Sequence, residues 1–297
     1  MPYPKEPRIQ RHERKRQYNP KNHPVSNSFL VEKSMSNLQS VDLSELALDY
    51  DAKRRMEPQD FERLIGYMLH YGEVGGDALE IGCGSGYYLA PLAQRLPKTR
   101  FHGMDITDAM LASTKDKIHR QALTNCSLAK GDAHCLPFIN HAFTFVLMSQ
   151  VLHYFENLPR VIAEVYRVTK TEARVLVVTS SHLQLKSQLD IALFPGLTQK
   201  DISRFPSIEE IRYLFESDCF EMVAAVEFAS TFRFPSIKAL VERTALKPWS
   251  SYQLFSQEEF TRRLRVFKEN LHKKFGRGEI AYLFPQTLLF FQKVPHS

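Results

Sequence analysis

Residues 79–93, LEIGCGSGYYLAPLA, decide the fold. Ala78, Leu79 and Ile81 make an apolar run suited to a buried central strand, with Glu80 at its exit. Gly82, Gly84 and Gly86 follow as a turn whose backbone can approach a ligand without side-chain interference. From Tyr87 to Leu96 apolar residues recur at helical spacing, so the free amides of a helix start point back at the glycines. The three parts together form a cradle for a ligand. Its spacing is G-x-G-x-G, whereas a dinucleotide pyrophosphate asks for G-x-G-x-x-G. Glu80, two residues before the first glycine, repels phosphates and favours a ligand that carries an ammonium group.

Strand and helix patterns alternate downstream. Arg100 to Asp105 reads as a second strand, Ala109 to Arg120 as a helix and Cys126 to Lys130 as a third strand. Phe143 to Ser149 is a strongly apolar fourth, followed by a helix from about Pro159 to Val168 and a fifth strand at Arg174 to Thr179. This alternation predicts a parallel sheet covered on both faces. Beyond Ser180 it loosens. Ser207 to Ser217 is a serine-capped helix, Phe220 to Phe228 a strand, Phe234 to Gly276 largely helical and Tyr282 to Val294 a last strand. Upstream, Val41 to Tyr71 is helical, with a short helix capped near Ser40 or Asp42. A second helix after Pro58 places Phe61, Leu64, Ile65, Met68 and Leu69 on one face.

The 297 residues, 43% hydrophobic and 24% charged, fit a globular chain with a sizeable core. No apolar run reaches the ~20 residues of a membrane span, and no secretory signal pattern opens the chain. Cys83, Cys126, Cys135 and Cys219 show no Cys-x-x-Cys pairing and read as reduced, which fits a cytoplasmic protein. The net charge of +6 is concentrated at the start, where seven Lys or Arg stand against Glu6 and Glu13, so the remaining chain is nearly neutral. Residues 1–28, with five prolines, read as a disordered basic tail: a tether for nucleic acid or an anionic surface, or simply a solvated extension. Residues 29–72 are expected to form an N-terminal helical cap and residues 73–297 the main domain, with a helical insert at about 229–280.

The chain resembles the class I S-adenosylmethionine-dependent methyltransferases, and the resemblance extends past the glycines, from Asp77 to Thr179. Asp105 stands at the end of the second strand, in DITDAML, and GDAHCLPF (residues 131–138) is similar to the family's G-D-A-x-x-L-P-F. The run FTFVLMSQVLHYFEN (residues 143–157) resembles the family's fourth strand and its exit. The usual Leu-Lys-Pro-Gly turn is replaced by Val168-Thr169-Lys170-Thr171-Glu172. The resemblance implies an α/β Rossmann-like fold: a seven-stranded, mostly parallel sheet with helices on both faces, the N-terminal cap, and the insert before the last strand. It implies S-adenosylmethionine as cofactor and no metal. Asp105 would bond both ribose hydroxyls, Ile106 and Met110 would pack near the adenine, Asp132 would bond the adenine amino group, and Ala133 would offer an amide. Ser149 would face the methionine end. Gly82, Gly84 and Gly86 would let that end lie on the main chain, and Glu80 would orient the turn and answer the ammonium.

Methyl transfer needs alignment and desolvation of the nucleophile, and a general base only when the acceptor holds a high-pKa proton. His153, at the exit of the fourth strand, is the best-placed candidate base; the other reading is that it orients the loop or packs under the cofactor. Tyr154 and Gln150 are further candidates. His134 beside Cys135 has no third metal ligand at usable spacing. Tyr50 and Arg54 or Arg55 resemble lid positions of the family. The apolar insert residues Phe232, Phe234, Leu240, Leu246, Tyr252, Leu254 and Phe255 suit either a lid over an apolar molecule or ordinary packing, and Trp249 either a pocket wall or a core. The expected function is methyl transfer to a small-molecule acceptor, giving S-adenosylhomocysteine. The alternatives are a tRNA- or protein-modifying methyltransferase anchored by the basic tail, and a non-catalytic cofactor-binding regulator.

Overall fold

The computed structural model describes residue 47, residues 50–54 and residues 56–295. The expected tail at 1–28, most of the first cap helix, and Arg55 lie outside the described residues. Seven strands form one sheet: β1 (Asp77–Ile81), β2 (Arg100–Asp105), β3 (Cys126–Lys130), β4 (Phe143–Ser149), β5 (Thr169–Thr179), β6 (Phe220–Phe234) and β7 (Ile280–Lys293). Their order is β3-β2-β1-β4-β5-β7-β6, with β7 antiparallel to both neighbours and the others parallel. The Rossmann-like expectation holds. The order reverses between β1 and β4, so a crevice opens at the carboxyl ends of these strands, where Glu80, Asp105 and Ser149 stand.

The central strands are apolar on both sides because both sides are covered. Val146 and Met148 of β4, Val175 and Val177 of β5, and Leu289 and Phe291 of β7 enter one core. Their neighbours Phe145, Leu147, Leu176, Val178, Leu288 and Phe290 enter the other. Each fully buried aliphatic side chain is worth roughly 1.5–3 kcal/mol relative to exposure. Helices α5 (Leu158–Val168) and α9 (Ile208–Ser217) cover the first face. Helices α2 (Pro58–Gly72) and α3 (Leu89–Arg95) cover the second, α2 through Leu64, Ile65 and Met68, as its spacing predicts. Helix α4 (Asp108–Arg120) follows β2. Local chemistry fixes the starts: Asn157 Oδ1 accepts the Arg160 amide, and Ser207 and Glu210 form a reciprocal capping box on α9.

Three boundaries differ from expectation. Strand β6 runs to Phe234, because its pairing with β7 continues unbroken from Phe228↔Gln286 to Phe234↔Ile280, so the insert begins after residue 234 and not at 229. Strand β5 starts at Thr169, which pairs with Phe143 across a register shift, where the sequence suggests a turn. Between β5 and α9 lie three short helices that the pattern does not announce: α6 (His182–Ser187), α7 (Leu189–Leu193) and α8 (Leu197–Arg204). With α10 (Ile237–Ala245), α11 (Gln257–Phe275) and the outer halves of β6 and β7 they build a third apolar cluster around Phe194, Leu240, Tyr252 and Phe267. This cluster roofs the crevice.

Candidate functional site

The glycine turn is tied to the second strand and the helix after it. The amides of Gly82 and Cys83 both donate to Met104 O, at 2.8 and 2.9 Å. The Gly84 amide donates to Asp105 Oδ2 and the Thr107 amide to Asp105 Oδ1, each at 2.9 Å. Thr114 of α4, fully buried, donates to Gly84 O at 2.6 Å. The glycines therefore divide in purpose. At Gly84 a β-carbon would meet only Met110 Sδ at 3.9 Å, so this is the position that leaves room over the turn. At Gly86 it would stand 2.8 Å from Thr114 Cγ2. Gly86 borders neither cavity of the crevice, and its bare α-carbon lets α4 close on the turn.

Two adjoining cavities occupy the crevice. The first is bordered by Asp105, Ile106, Met110, Asp132, Ala133 and Ser149. Ile106 is 51% exposed along this wall, an apolar surface without a protein neighbour to cover it. Asp132 Oδ1 accepts from the amide of His134 at 2.9 Å and from its Nδ1 at 2.7 Å. His134 Nε2 in turn accepts the Asn157 amide at 3.2 Å, which places the ring proton on Nδ1. Burial raises the Asp132 carboxyl, and the His134 hydrogen bonds outweigh it, leaving the group below its ordinary pKa. Asp105 is shifted upward: burial dominates over the Thr107 and Gly84 amides.

The second cavity meets the first at Tyr50, Gly82, Gly84, Ser149, Gln150 and Tyr154. Glu80 borders it from beneath the turn. Its Oε2 is buried without a partner, and burial pushes the carboxyl up to about 8, against Lys117, which pulls it down. A buried carboxylate oxygen without a donor is costly unless a ligand supplies one. His153 stacks on Phe205, centroids 4.0 Å apart and planes 13° apart. Burial holds its imidazole well below the ordinary histidine pKa, and Arg204 and Arg54 reinforce the shift. The ring is neutral in this setting.

Helix α1 (Tyr50–Arg54) straps the two halves together. Asp51 Oδ1 accepts Ser85 Oγ of the turn at 2.5 Å and Asp51 Oδ2 pairs with Lys117. At the other end Arg54 donates to Pro248 O at 2.8 Å, with its guanidinium over the Trp249 ring, and Arg243 of the insert donates to Lys53 O at 3.0 Å. Of the apolar residues expected in the insert, Phe232, which belongs to β6, borders the cavity, as does Trp249, whereas Leu240, Tyr252 and Phe255 pack in the roof and Leu246 is exposed. The sequence reading missed Gln188, Asp201 and Gln286, which border the second cavity. Gln150, weighed only as a candidate base, has φ 51°, a strained value at the strand exit, and holds its side chain where the two cavities meet. Among the described residues no three His, Cys, Asp or Glu side chains converge as a metal site, and no helix is long and apolar enough to cross a membrane.

Residues 79–177 match the family model described as "Methyltransferase domain". A malonyl-[acyl-carrier protein] O-methyltransferase of Legionella pneumophila is 28% identical over 46% of this chain and 47% of its own length. A demethylmenaquinone methyltransferase of Bacillus cytotoxicus is 26% identical over 52% of this chain and 73% of its own. The chain spans about half the length, or less, of the curated relatives it matches first. Among solved structures, a putative methyltransferase from Bacillus halodurans superposes with a TM-score of 0.56, at 19% identity over 80% of this chain and 100% of that one, which shows a common fold.

Proposed function

We propose, for a chain whose residues 79–177 place it among the class I S-adenosylmethionine-dependent methyltransferases, that it binds S-adenosylmethionine across the glycine turn. The methyl group then passes by in-line displacement to a small-molecule acceptor held in the second cavity, leaving S-adenosylhomocysteine. One observation carries the reading: Glu80, whose Oε2 is buried and without a donor, borders the second cavity beside Gly82 and Gly84, where that cavity meets the first. An ammonium is the group that satisfies it.

The remaining residues fit the same cofactor. Asp105 is anchored by one amide on each oxygen and borders the first cavity, so its remaining lone pairs can accept the two hydroxyls of a ribose. Ile106, Met110 and Ala133 give an apolar slot for a base, with Asp132 at its edge. Gly84 leaves the main chain bare beneath the methionine portion, and Ser149 and Gln150 stand at the passage between the cavities. The cofactor, when bound, supplies a methyl group already activated on a sulfonium. The protein's part is to align the acceptor and keep water away, which Phe205, Phe232, Trp249 and Phe284 favour by lining the second cavity. His153, held neutral and stacked, suits hydrogen bonding and orientation of the acceptor better than abstraction of a high-pKa proton.

The roof over the second cavity supports a small acceptor over a nucleic acid or a folded protein. A metabolite extract incubated with methyl-labelled S-adenosylmethionine tests this. Label in the small-molecule fraction, lost with Asp105→Ala, is expected. Label confined to RNA or protein contradicts the small acceptor, and no label with intact cofactor binding supports a non-catalytic regulator instead.

A further inference from the structure

The second cavity, in the part it does not share with the first, is bordered by two residues with buried acceptors, Gln188 and Asp201. Gln188 is fully buried between α6 and α7. Its Nε2 donates to Pro285 O at 2.9 Å and to Ser180 Oγ at 3.1 Å, which fixes the amide and leaves Oε1 without a donor. Asp201 of α8, 2% exposed, accepts Ser251 Oγ at 2.5 Å, with Arg204 Nη1 3.8 Å away. Burial raises its carboxyl to about 6, against Ser251 and Arg204, so near neutral pH it is ionised and can only accept.

Three nearby hydroxyls spend their protons inside the protein, whereas Ser250 Oγ accepts from Arg204 Nη2 at 3.2 Å. Ser251 donates to Asp201, Ser180 to Pro285 O at 3.4 Å and Ser230 to Phe284 O at 3.5 Å. Arg54, the guanidinium bordering this space, is engaged by Tyr50 Oη, Pro248 O and the Trp249 ring. Arg204, whose Nε and Nη1 make no hydrogen bond although Nη1 is ion-paired with Asp201, does not border the cavity. Gln286, Ser250 and His153 add polar groups able to donate or accept, and the remaining walls are mainly apolar: Phe205, Phe232, Trp249, Phe284, Leu185 and Ile191.

On the reading of this cavity as the acceptor's, we infer that the acceptor is an apolar, non-anionic molecule carrying at least two hydrogen-bond donors, hydroxyl or amine. One donor meets Gln188 Oε1 and the other the Asp201 carboxylate. A buried acceptor atom without a donor is a standing penalty that such a molecule relieves and its ether analogue does not. Gln188 and Asp201 then act as specificity determinants from helices that carry no family motif.

Trp249 is the single tryptophan of the chain and borders the cavity, so its emission reports occupancy. The test titrates the full chain, with S-adenosylhomocysteine present, against decalindiol, its dimethyl ether and decalindicarboxylate, all transparent at tryptophan wavelengths. The diol is expected to shift the emission and to bind about tenfold or more tightly than the ether, a loss of one or two buried hydrogen bonds. Asp201→Asn and Gln188→Met should each narrow that ratio without changing the ether's affinity. Equal binding of diol and ether, tightest binding of the dicarboxylate, or no response to the diol overturns the inference. Calorimetry of S-adenosylhomocysteine alone separates the two levels: if it binds while the diol is not preferred, the acceptor class is wrong and the methyltransferase reading stands. If it does not bind, that reading falls.

Discussion

Asp105 Oδ2 accepts the Gly84 amide at 2.9 Å, so the carboxylate at the end of the second strand and the open glycine of the first are one unit. The Thr107 amide holds the other oxygen, and the pair of bonds aims the carboxylate along the first cavity. The proposed cofactor site depends on this link more than on any side chain that simply lines the space.

Replacing Asp105 with Ala removes both anchors and the ribose partner together. The expected loss is about tenfold or more in affinity for S-adenosylhomocysteine, with about 1–3 kcal/mol of stability. Calorimetry and thermal melts read the two effects separately. Unchanged affinity removes Asp105 from the site.

Gly84 and Gly86 should answer differently to alanine. Both have positive φ, 54° and 72°, so each pays roughly 1 kcal/mol or more of backbone strain. Gly86→Ala adds a collision with Thr114 and should lower the melting temperature further. Gly84→Ala meets no close neighbour, so its larger effect should be on cofactor affinity. Melting and binding measured on both variants check the split; the reverse pattern refutes it.

Glu80 makes cofactor binding a proton-linked event. With its carboxyl pushed up to about 8, it is mostly protonated at neutral pH when the site holds no cation, and an ammonium favours the ionised form. Binding should therefore release up to about one proton at neutral pH, and affinity should rise as pH approaches about 8. The sign for folding is opposite. The pKa is raised over the unfolded value of 4.5, so the Glu80 contribution to stability is fully present below that value and is lost as pH rises through about 8. Calorimetry in buffers of different ionisation heat counts the proton, and Glu80→Gln should abolish its release.

His153 should remain neutral well below the pH at which an ordinary histidine charges, because burial dominates and two guanidiniums oppose the proton. Nuclear magnetic resonance titration of its ring checks this directly. His153→Phe keeps the stack on Phe205 and should melt close to the wild type. A wild-type ring that titrates in the ordinary range restores His153 as a candidate base.

The half of the crevice built on β1 and β2 was legible in the sequence because backbone geometry dictates residue type there: glycine at positive φ, and a carboxylate at a strand end. Glu80 was legible as a charge inside an apolar strand. The acceptor half was not. Gln188 joins two short helices and Asp201 sits on a third of 8 residues, too short to establish a periodicity, and their meaning comes from β6 and β7, which bring Phe232 to the same cavity and Pro285 to Gln188 across 97 residues of chain. The end of β6 was misplaced for a related reason. Residues 229–234 look like a departure from the strand until Tyr282 and Phe284 pair with them. Gly86 carries a constraint that the motif does not show: Thr114, a helix away, leaves no room for a β-carbon there.

Calorimetric titration of the full chain with S-adenosylmethionine, and separately with NAD, tests the central claim most directly. One S-adenosylmethionine bound per chain is expected, with a dissociation constant on the order of micromolar, about −8 kcal/mol, and no heat from NAD. Binding of NAD without S-adenosylmethionine would contradict it, because Glu80 and the G-x-G-x-G spacing would then have been read with the wrong sign of charge.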